Sequence, residues 1–416
     1  MRSTSNVSRR RVLETAAGAM LAAPLAALAQ EKEPAMRPRV AALITTWFID
    51  SHADVIVGKF LEGCDTLDVS FKARSQVVSM FVEQVGDRDI SREFAERNNV
   101  PIFPTIPAAL TLGGDDLAVD AILLIGEHGR YPRNEKRQVL YPRRRFFEEA
   151  AAVVRRSGRR GVPIFNDKHL SQSWQDAKFM VDTARELGMP FMAGSSLPLT
   201  WRKPELEFER GVRIAEAMGV GYSGVEGYGF HAVETLQCMI ERRAGGETGV
   251  KAITALTGDA VWEAGDAGRW SWDLLRAALA TSTKPIEGDV KDVVRRPAAF
   301  LVEYADGTRG SVLMVDGKTR QFLFAAQLEG QQDPVATCFW LQDERPHGHF
   351  AVLSDAIDRM FVSGNPTYPV ERTLLTTGIL DRCMTSIFEG GARQETPELA
   401  AVRYQPPAVP RPLRQA

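Results

Sequence analysis

Residues 161–196 read GVPIFNDKHLSQSWQDAKFMVDTARELGMPFMAGSS, and this stretch decides the fold. Val162 to Phe165 form an apolar run of strand length that stops at Asn166-Asp167-Lys168-His169. A helix follows. Ser173 stands three residues before Asp176, the spacing of a capping box. Ala177, Met180, Val181, Ala184 and Leu187 then recur at helical intervals and make one apolar stripe. Gly188 supplies a stop and Pro190 blocks a restart. PFMAGSS reads as the next strand. A strand, helix and strand in this order predict a parallel crossover. That places Asp167, Lys168 and His169 at the carboxyl end of a strand, the edge where open α/β sheets bind ligands.

The same rhythm runs back to the start of the mature chain. RVAALITTWF (39–48), SQVVSMFVEQ (75–84), PIFPTI (101–106) and VDAILLIG (119–126) read as strands. DSHADVIVGKFLEG (50–63), DISREFAERNNV (89–100) and RRRFFEEAAAVVRRSG (143–158) read as helices. Near-continuous apolar strands suit a sheet covered on both faces. The second half changes character. VKAITALTGDAVW (250–262), AAFLVEYADGTRGSVLMVDG (298–317), RQFLFAAQLEG (320–330) and VATCFWLQD (335–343) read as strands. Asp306-Gly307 and Asp316-Gly317 are hairpin signals between them. Helices over 349–364 and 371–391 follow, and the tail YQPPAVPRPLRQA is Pro-rich and reads as extended. The expected fold is α/β: a doubly wound parallel sheet over 38–190, then an α+β domain with a large open, mainly antiparallel sheet over 191–395, then a tail over 396–416.

The chain has 416 residues, more than one core usually covers. A net charge of -2 gives no pull toward nucleic acid or an acidic membrane. Residues 1–29 read as a signal peptide. Ser8-Arg9-Arg10-Arg11 precedes the apolar TAAGAMLAAPLAALA, which ends in an A-x-A-like cleavage site at Ala27-Leu28-Ala29. The paired arginines mark a twin-arginine signal, with an ordinary secretory signal as the alternative. The expectation is export of a folded protein by the Tat machinery to the periplasm or beyond, with no membrane anchor. Cys64, Cys238, Cys338 and Cys383 have neither zinc nor C-x-x-C spacing and read as free, mostly buried thiols.

Taken together, the order of elements resembles the Gfo/Idh/MocA family of sugar and inositol dehydrogenases, over almost the whole mature chain. Asp167-Lys168-His169, the helix SWQDAKFMVDTARELG and PFMAGSSLPLTWR match the family's E-K-P strand end, its helix and its following strand, the last bringing in Arg202. The closing helices match as well. The resemblance implies a Rossmann-like first domain, NAD or NADP as cofactor, a carbohydrate-like substrate and pairing of subunits through the open sheet. It maps the family's acid/base lysine onto Lys168. The family's D-x-x-x-H maps onto GVEGYGFHAVETLQ, which supplies His231 and, three residues on, Glu234; Gly227 stands where the Asp would be, with Glu226 one residue away. A lysine and a histidine facing one alcohol make a plausible general-base pair.

Two departures stand out. A dinucleotide fold uses G-x-G-x-x-G after the first strand so that the backbone can approach the pyrophosphate. Here the loop holds Thr45, Thr46, Trp47 and Phe48, with no glycine between Val40 and Val57. Either the cofactor is held through these residues in another way or the fold has lost it. The loop GEHGRYPRNEKRQVLYPRRR is longer than the family's and offers Glu127, His128, Arg130 and Tyr131 as substrate contacts, alongside Asp167, His169, Glu226 and Arg202. Glu127, His128, His169, Glu226 and His231 are suitable ligand types, but none has H-E-x-x-H spacing, and no metal site is expected. Three functions stay open: a sugar or polyol oxidoreductase, a dinucleotide-free lyase, epimerase or hydrolase on an oxidised sugar, and a non-catalytic sugar-binding relative.

Overall fold

The computed structural model describes residues 37–408. The signal peptide and the last residues of the tail lie outside them. Six strands form the first sheet: β1 (Arg39–Ile44), β2 (Gln76–Val82), β3 (Ile102–Phe103), β4 (Ala121–Ile125), β5 (Ile164–Asp167) and β6 (Phe191–Gly194). Their spatial order is β3-β2-β1-β4-β5-β6, and every pair is parallel. The order reverses between β1 and β4, so a crevice opens at the carboxyl ends of those strands. Helices α1 (His52–Glu62), α2 (Ser91–Asn98), α3 (Ile106–Thr111), α4 (Arg143–Ser157) and α5 (Trp174–Leu187) connect the strands. The expected caps form. Ser173 Oγ accepts from Asp176 N at 3.2 Å, and Gly188 ends α5 in the left-handed region at φ 63°.

The second sheet has β7 (Trp201–Lys203), β8 (Ile214–Gly221), β9 (Val250–Thr257), β10 (Ala298–Tyr304), β11 (Arg309–Met314), β12 (Phe322–Leu328), β13 (Val335–Trp340) and β14 (Gln394–Glu395). Its order is β14-β9-β10-β11-β8-β12-β13-β7, antiparallel throughout except for β8 against β11. Asp306-Gly307 turns a hairpin between β10 and β11, as expected. Asp316-Gly317 does not. It leads from β11 to β12, but β8 lies between them and bonds to both, so the apolar strands on either side of this turn never pair with each other.

The remaining α-helices are α6 (Gly227–Ile240), α7 (Asp259–Asp266), α8 (Trp272–Ala280), α9 (Val290–Val293), α10 (Gly348–Ser363), α11 (Val370–Phe388) and α12 (Pro397–Ala400). One face of the second sheet packs on α6 and α11. The other carries Val261, Trp262 and Trp270, Leu274 and Leu275 of the α7–α8 segment over Met218, Val220, Leu313 and Leu323. This sheet is therefore covered on both faces. Two boundaries also differ. Phe191–Gly194, beyond the expected division at 190, is the edge strand of the first sheet, and α10 returns to pack with α1 on that sheet. The expected tail is docked over its described part: Leu399 and Tyr404 are buried, and the Tyr404 hydroxyl donates to Glu241 at 2.7 Å. All four cysteines are free and buried. Among the described residues no helix is long and apolar enough to cross a membrane.

Candidate active site

The strand ends deliver the chemistry. β5 ends in Asp167, and Lys168 follows with its side chain turned back into the protein; the residue is 7% exposed. Its Nζ lies 3.2 Å from Glu127 Oε1, just beyond the end of β4. The other Glu127 oxygen receives Arg143, from the first turn of α4. Burial alone would raise the Glu127 carboxyl, but Lys168 and Arg143 outweigh it and hold the group well below the usual carboxylate range. Close approach of α4 requires Gly126: a Cβ there would lie 2.6 Å from Arg143 Cγ. Thr45, at the end of β1, ties this corner together by donating its hydroxyl to the Glu127 carbonyl at 2.6 Å.

His231 comes from the second turn of α6. Its Nδ1 lies 3.1 Å from Ser195 Oγ and 3.3 Å from Glu234 Oε2, one helical turn on. Ser195 follows β6 and donates both its amide and its hydroxyl to Glu234. A carboxylate can only accept, so this arrangement puts the imidazole proton on Nδ1 and leaves Nε2 as an acceptor. Burial lowers the His231 pKa despite the opposing pull of Glu234, which favours the neutral ring. The start of α6 also reaches Lys168: a Cβ on Gly227 would lie 4.0 Å from Lys168 Nζ, with no other heavy atom closer. Lys168 and His231 thus belong to one cluster, each oriented by its own buried carboxylate.

A third group extends the cluster. His52, the first residue of α1, places Nδ1 2.7 Å from Asp167 Oδ2. Its ring meets that of His128 at 5.3 Å, and His128 meets Phe48 at the same distance. Burial and the neighbouring His52 push the His128 pKa down to about 4. His128 is also one wall of a cleft of about 730 Å³ lined by Thr46, Phe48, Arg88, Gly129, Arg130 and Tyr141, among others. This cleft occupies the crevice at the switch point. Arg88 lies over the Phe48 ring at 4.7 Å.

Several expected site residues are placed elsewhere. Trp47 is fully buried against Phe94 at 4.8 Å and lies in the core, so it neither lines nor fills the cleft. Thr45 is buried and its hydroxyl is committed to backbone carbonyls; of the three expected cofactor residues only Thr46 faces the cleft. His169 turns away: its Nδ1 donates to Ser171 O at 3.1 Å and its ring packs on Phe230. Tyr131 donates to Glu83 and packs on Tyr141, and Glu226 accepts from Val139 N at 2.6 Å and pairs with Arg133, so both shape the long loop rather than face Lys168. Glu226 therefore does not replace the carboxylate missing at Gly227. Arg202 is buried over Phe339 at 3.7 Å and donates to the carbonyls of Pro198 and Thr200, a packing role. Asp167 is fully buried behind His52. Sequence reasoning missed His52 and Ser195. Ser195 stands just past the end of β6 on the functional edge, and that position was the available signal; His52 opens the helix after β1 and had no such signal. Among the described residues no group of three or more His, Cys, Asp or Glu side chains is placed to hold a metal ion.

No protein-family model and no curated protein sequence matches the chain. Solved structures do. GenD2 from gentamicin A biosynthesis, solved with NAD, aligns over 86% of this chain and 97% of its own, with 14% identity and a TM-score of 0.54. Scyllo-inositol dehydrogenase from Lactobacillus casei aligns over 86% and 98%, with 8% identity and a TM-score of 0.53. Myo-inositol 2-dehydrogenase from Lactobacillus plantarum aligns over 86% and 99%, with 11% identity and a TM-score of 0.52. At these identities the likeness is one of fold, with the parallel sheet, the mixed sheet and their order all shared. The chain has the two-domain fold of the Gfo/Idh/MocA-type dehydrogenases.

Proposed function

We propose that this chain is an oxidoreductase acting on a carbinol group of a sugar or polyol. The observation that carries the reading is the convergence of Lys168 and His231, each held by a buried carboxylate, at the carboxyl edge of the parallel sheet. His231 Nε2 takes the hydroxyl proton, with Glu234 stabilising the imidazolium that forms. Lys168 hydrogen-bonds the same oxygen and holds negative charge as it develops. Glu127 and Arg143 fix the Lys168 side chain in place.

A nicotinamide dinucleotide, when bound, supplies the hydride acceptor. The donor set of the cleft suits one: Arg88 and Arg130 have no carboxylate partner among the described residues, and Phe48 and Tyr141 provide ring faces. Those residues, with Thr46 and His128, would hold it. The start of α1 is arranged differently from a glycine-rich phosphate turn. Ser51 Oγ already accepts from Asp54 N, and Asp54 Oδ2 accepts from Asp50 N at 2.9 Å, so two carboxylates stand near the helix start. The phosphates would rest on the arginines. This same feature favours a second reading, a dinucleotide-free enzyme that uses the Lys168 and His231 pair for proton transfer beside the carbonyl of an oxidised sugar.

We propose in addition that residues 1–29 direct export of the folded chain through the twin-arginine route, a reading that rests on Arg9-Arg10 and the apolar run after them. Fusion of residues 1–29 to a reporter active only outside the cytoplasm, with Arg9 and Arg10 changed to Lys in the control, tests that. The redox reading is tested by denaturing the purified protein, scanning the supernatant for nicotinamide, and titrating NAD and NADP with a panel of sugars and polyols. Released or bound dinucleotide with sugar-dependent reduction is expected. Absence of any dinucleotide, retained or added, overturns the oxidoreductase reading and leaves the second.

A further inference from the structure

A second cleft, of about 930 Å³, opens beside the start of α6. Its walls are the long loop at Arg133, Lys136 and Arg137, the turn Ser223–Val225, the segment Arg295-Arg296, and the end of α11. Two of its cations are already paired, Arg133 with Glu226 at 3.3 Å and Lys136 with Asp381 at 3.3 Å. Arg137, Arg295 and Arg296 have no carboxylate partner among the described residues. Of the two acids lining the cleft, Asp316 is committed to Ser223 N at 3.2 Å. A local excess of unpaired guanidinium in a chain of net charge -2 is not a general basic surface.

The floor is apolar: Val225, Met384, Ile387 and Phe388, the last a large aromatic side chain left 57% exposed. Arginines above an aromatic and aliphatic floor suit a ring with a C–H face and anionic substituents. The cleft is also close to the reacting centre. Val225 lines it, and Gly227, two residues on, is the point where α6 meets Lys168. We propose that this cleft is a subsite for the anionic substituents of an acidic oligosaccharide, carboxylate or sulfate ester, whose neighbouring ring lies at Lys168. The substrate class is then an acidic saccharide; the reaction at Lys168 rests on the function proposed above, but occupancy of the cleft does not.

The test measures calorimetric binding of uronic-acid and sulfated oligosaccharides against their methyl-esterified and unsulfated counterparts, to the full chain, its Arg295→Ala/Arg296→Ala double variant and Lys168→Met. The acidic members are expected to bind about tenfold or more tightly than their neutral twins. The double variant is expected to lose that preference with its melting temperature unchanged. Equal binding of the neutral twins, no binding by any acidic member, or an undiminished preference in the double variant overturns the proposal. Lys168→Met separates the two readings. Acidic binding retained in Lys168→Met, with no turnover of any sugar by the unaltered chain, sinks the proposed reaction and leaves the subsite. Turnover of neutral sugars with no acidic preference does the reverse.

Discussion

Gly227→Asp is a direct probe of the geometry around Lys168. Gly227 is the first residue of α6, lacks a left-handed backbone, and would direct a Cβ toward Lys168 Nζ at 4.0 Å with nothing else nearer. An aspartate fits that space. Removal of glycine's helix penalty and a carboxylate at a helix start contribute about 0.5 kcal/mol each. Pairing with an ammonium that is largely buried contributes about 1 kcal/mol more. A total of about 2 kcal/mol, set against an unfolding entropy of roughly 2 cal/mol/K per residue over residues 37–408, corresponds to a rise in Tm of about 2–3 °C. Gly227→Asn keeps the size without the charge, so the difference between the two variants isolates the charge-dependent part, the ion pair together with the helix-start term. The aspartate is stabilised in its charged form, so its folded pKa lies below the unfolded value near about pH 4. The gain is therefore present at neutral pH and vanishes as the pH falls through that range. Scanning calorimetry of the three proteins at neutral and acid pH is the assay. A Tm for Gly227→Asp no higher than that of Gly227→Asn at neutral pH refutes the placement of Lys168 against α6.

Lys168→Met and His231→Ala each reduce kcat by about 10²–10⁴-fold with the circular dichroism spectrum preserved, the scale expected for loss of positioned acid–base groups; near-wild-type turnover in either removes that residue from the mechanism. Glu234→Gln removes an influence that raises the His231 pKa, so the acid limb of the pH–rate profile, already below the ordinary histidine value, moves further down; a limb that stays in place separates Glu234 from the titrating group. His128 is held neutral with a pKa of about 4, so it contributes stability that is present above the unfolded histidine value and lost as pH falls through its folded pKa. His128→Gln is then less acid-sensitive than the parent in a Tm-against-pH series between about pH 4 and 6.5. Trp47→Ala destabilises by about 3–5 kcal/mol through the cavity it leaves, while ligands of the neighbouring cleft bind as before; weakened binding at unchanged stability would move Trp47 into the cleft.

The parallel sheet was legible because each of its elements carries its own local signal. Ser173, Asp176 and Gly188 cap one helix in a few residues, and the apolar runs at Ala121–Ile125 and Val162 to Phe165 announce strands buried on both faces. Lys168 and His231 were legible from position and resemblance. What was not legible depends on contacts distant in sequence. Nothing near Asp316-Gly317 shows that β8, almost a hundred residues earlier, inserts beside it. Trp47 read as a cofactor contact because it stood in the loop where a glycine was expected; only the packing of α2 reveals that its ring turns into the core. Arg202 and His169 carry site chemistry by residue type, yet carbonyls of Pro198, Thr200 and Ser171 absorb their donors. Strand order was the missing quantity at Asp316-Gly317, and side-chain direction at Trp47, Arg202 and His169.

The α7–α8 segment laid over the outer face of the second sheet has a thermodynamic consequence. A sheet whose apolar face is finished by another molecule is stable only in proportion to how often that molecule is present, so its melting temperature climbs with protein concentration. Here Trp262, Trp270 and Leu274 come from the same chain, and covering the face is a unimolecular event. The second sheet is thereby freed from the law of mass action, and dilution alone does not bare that face.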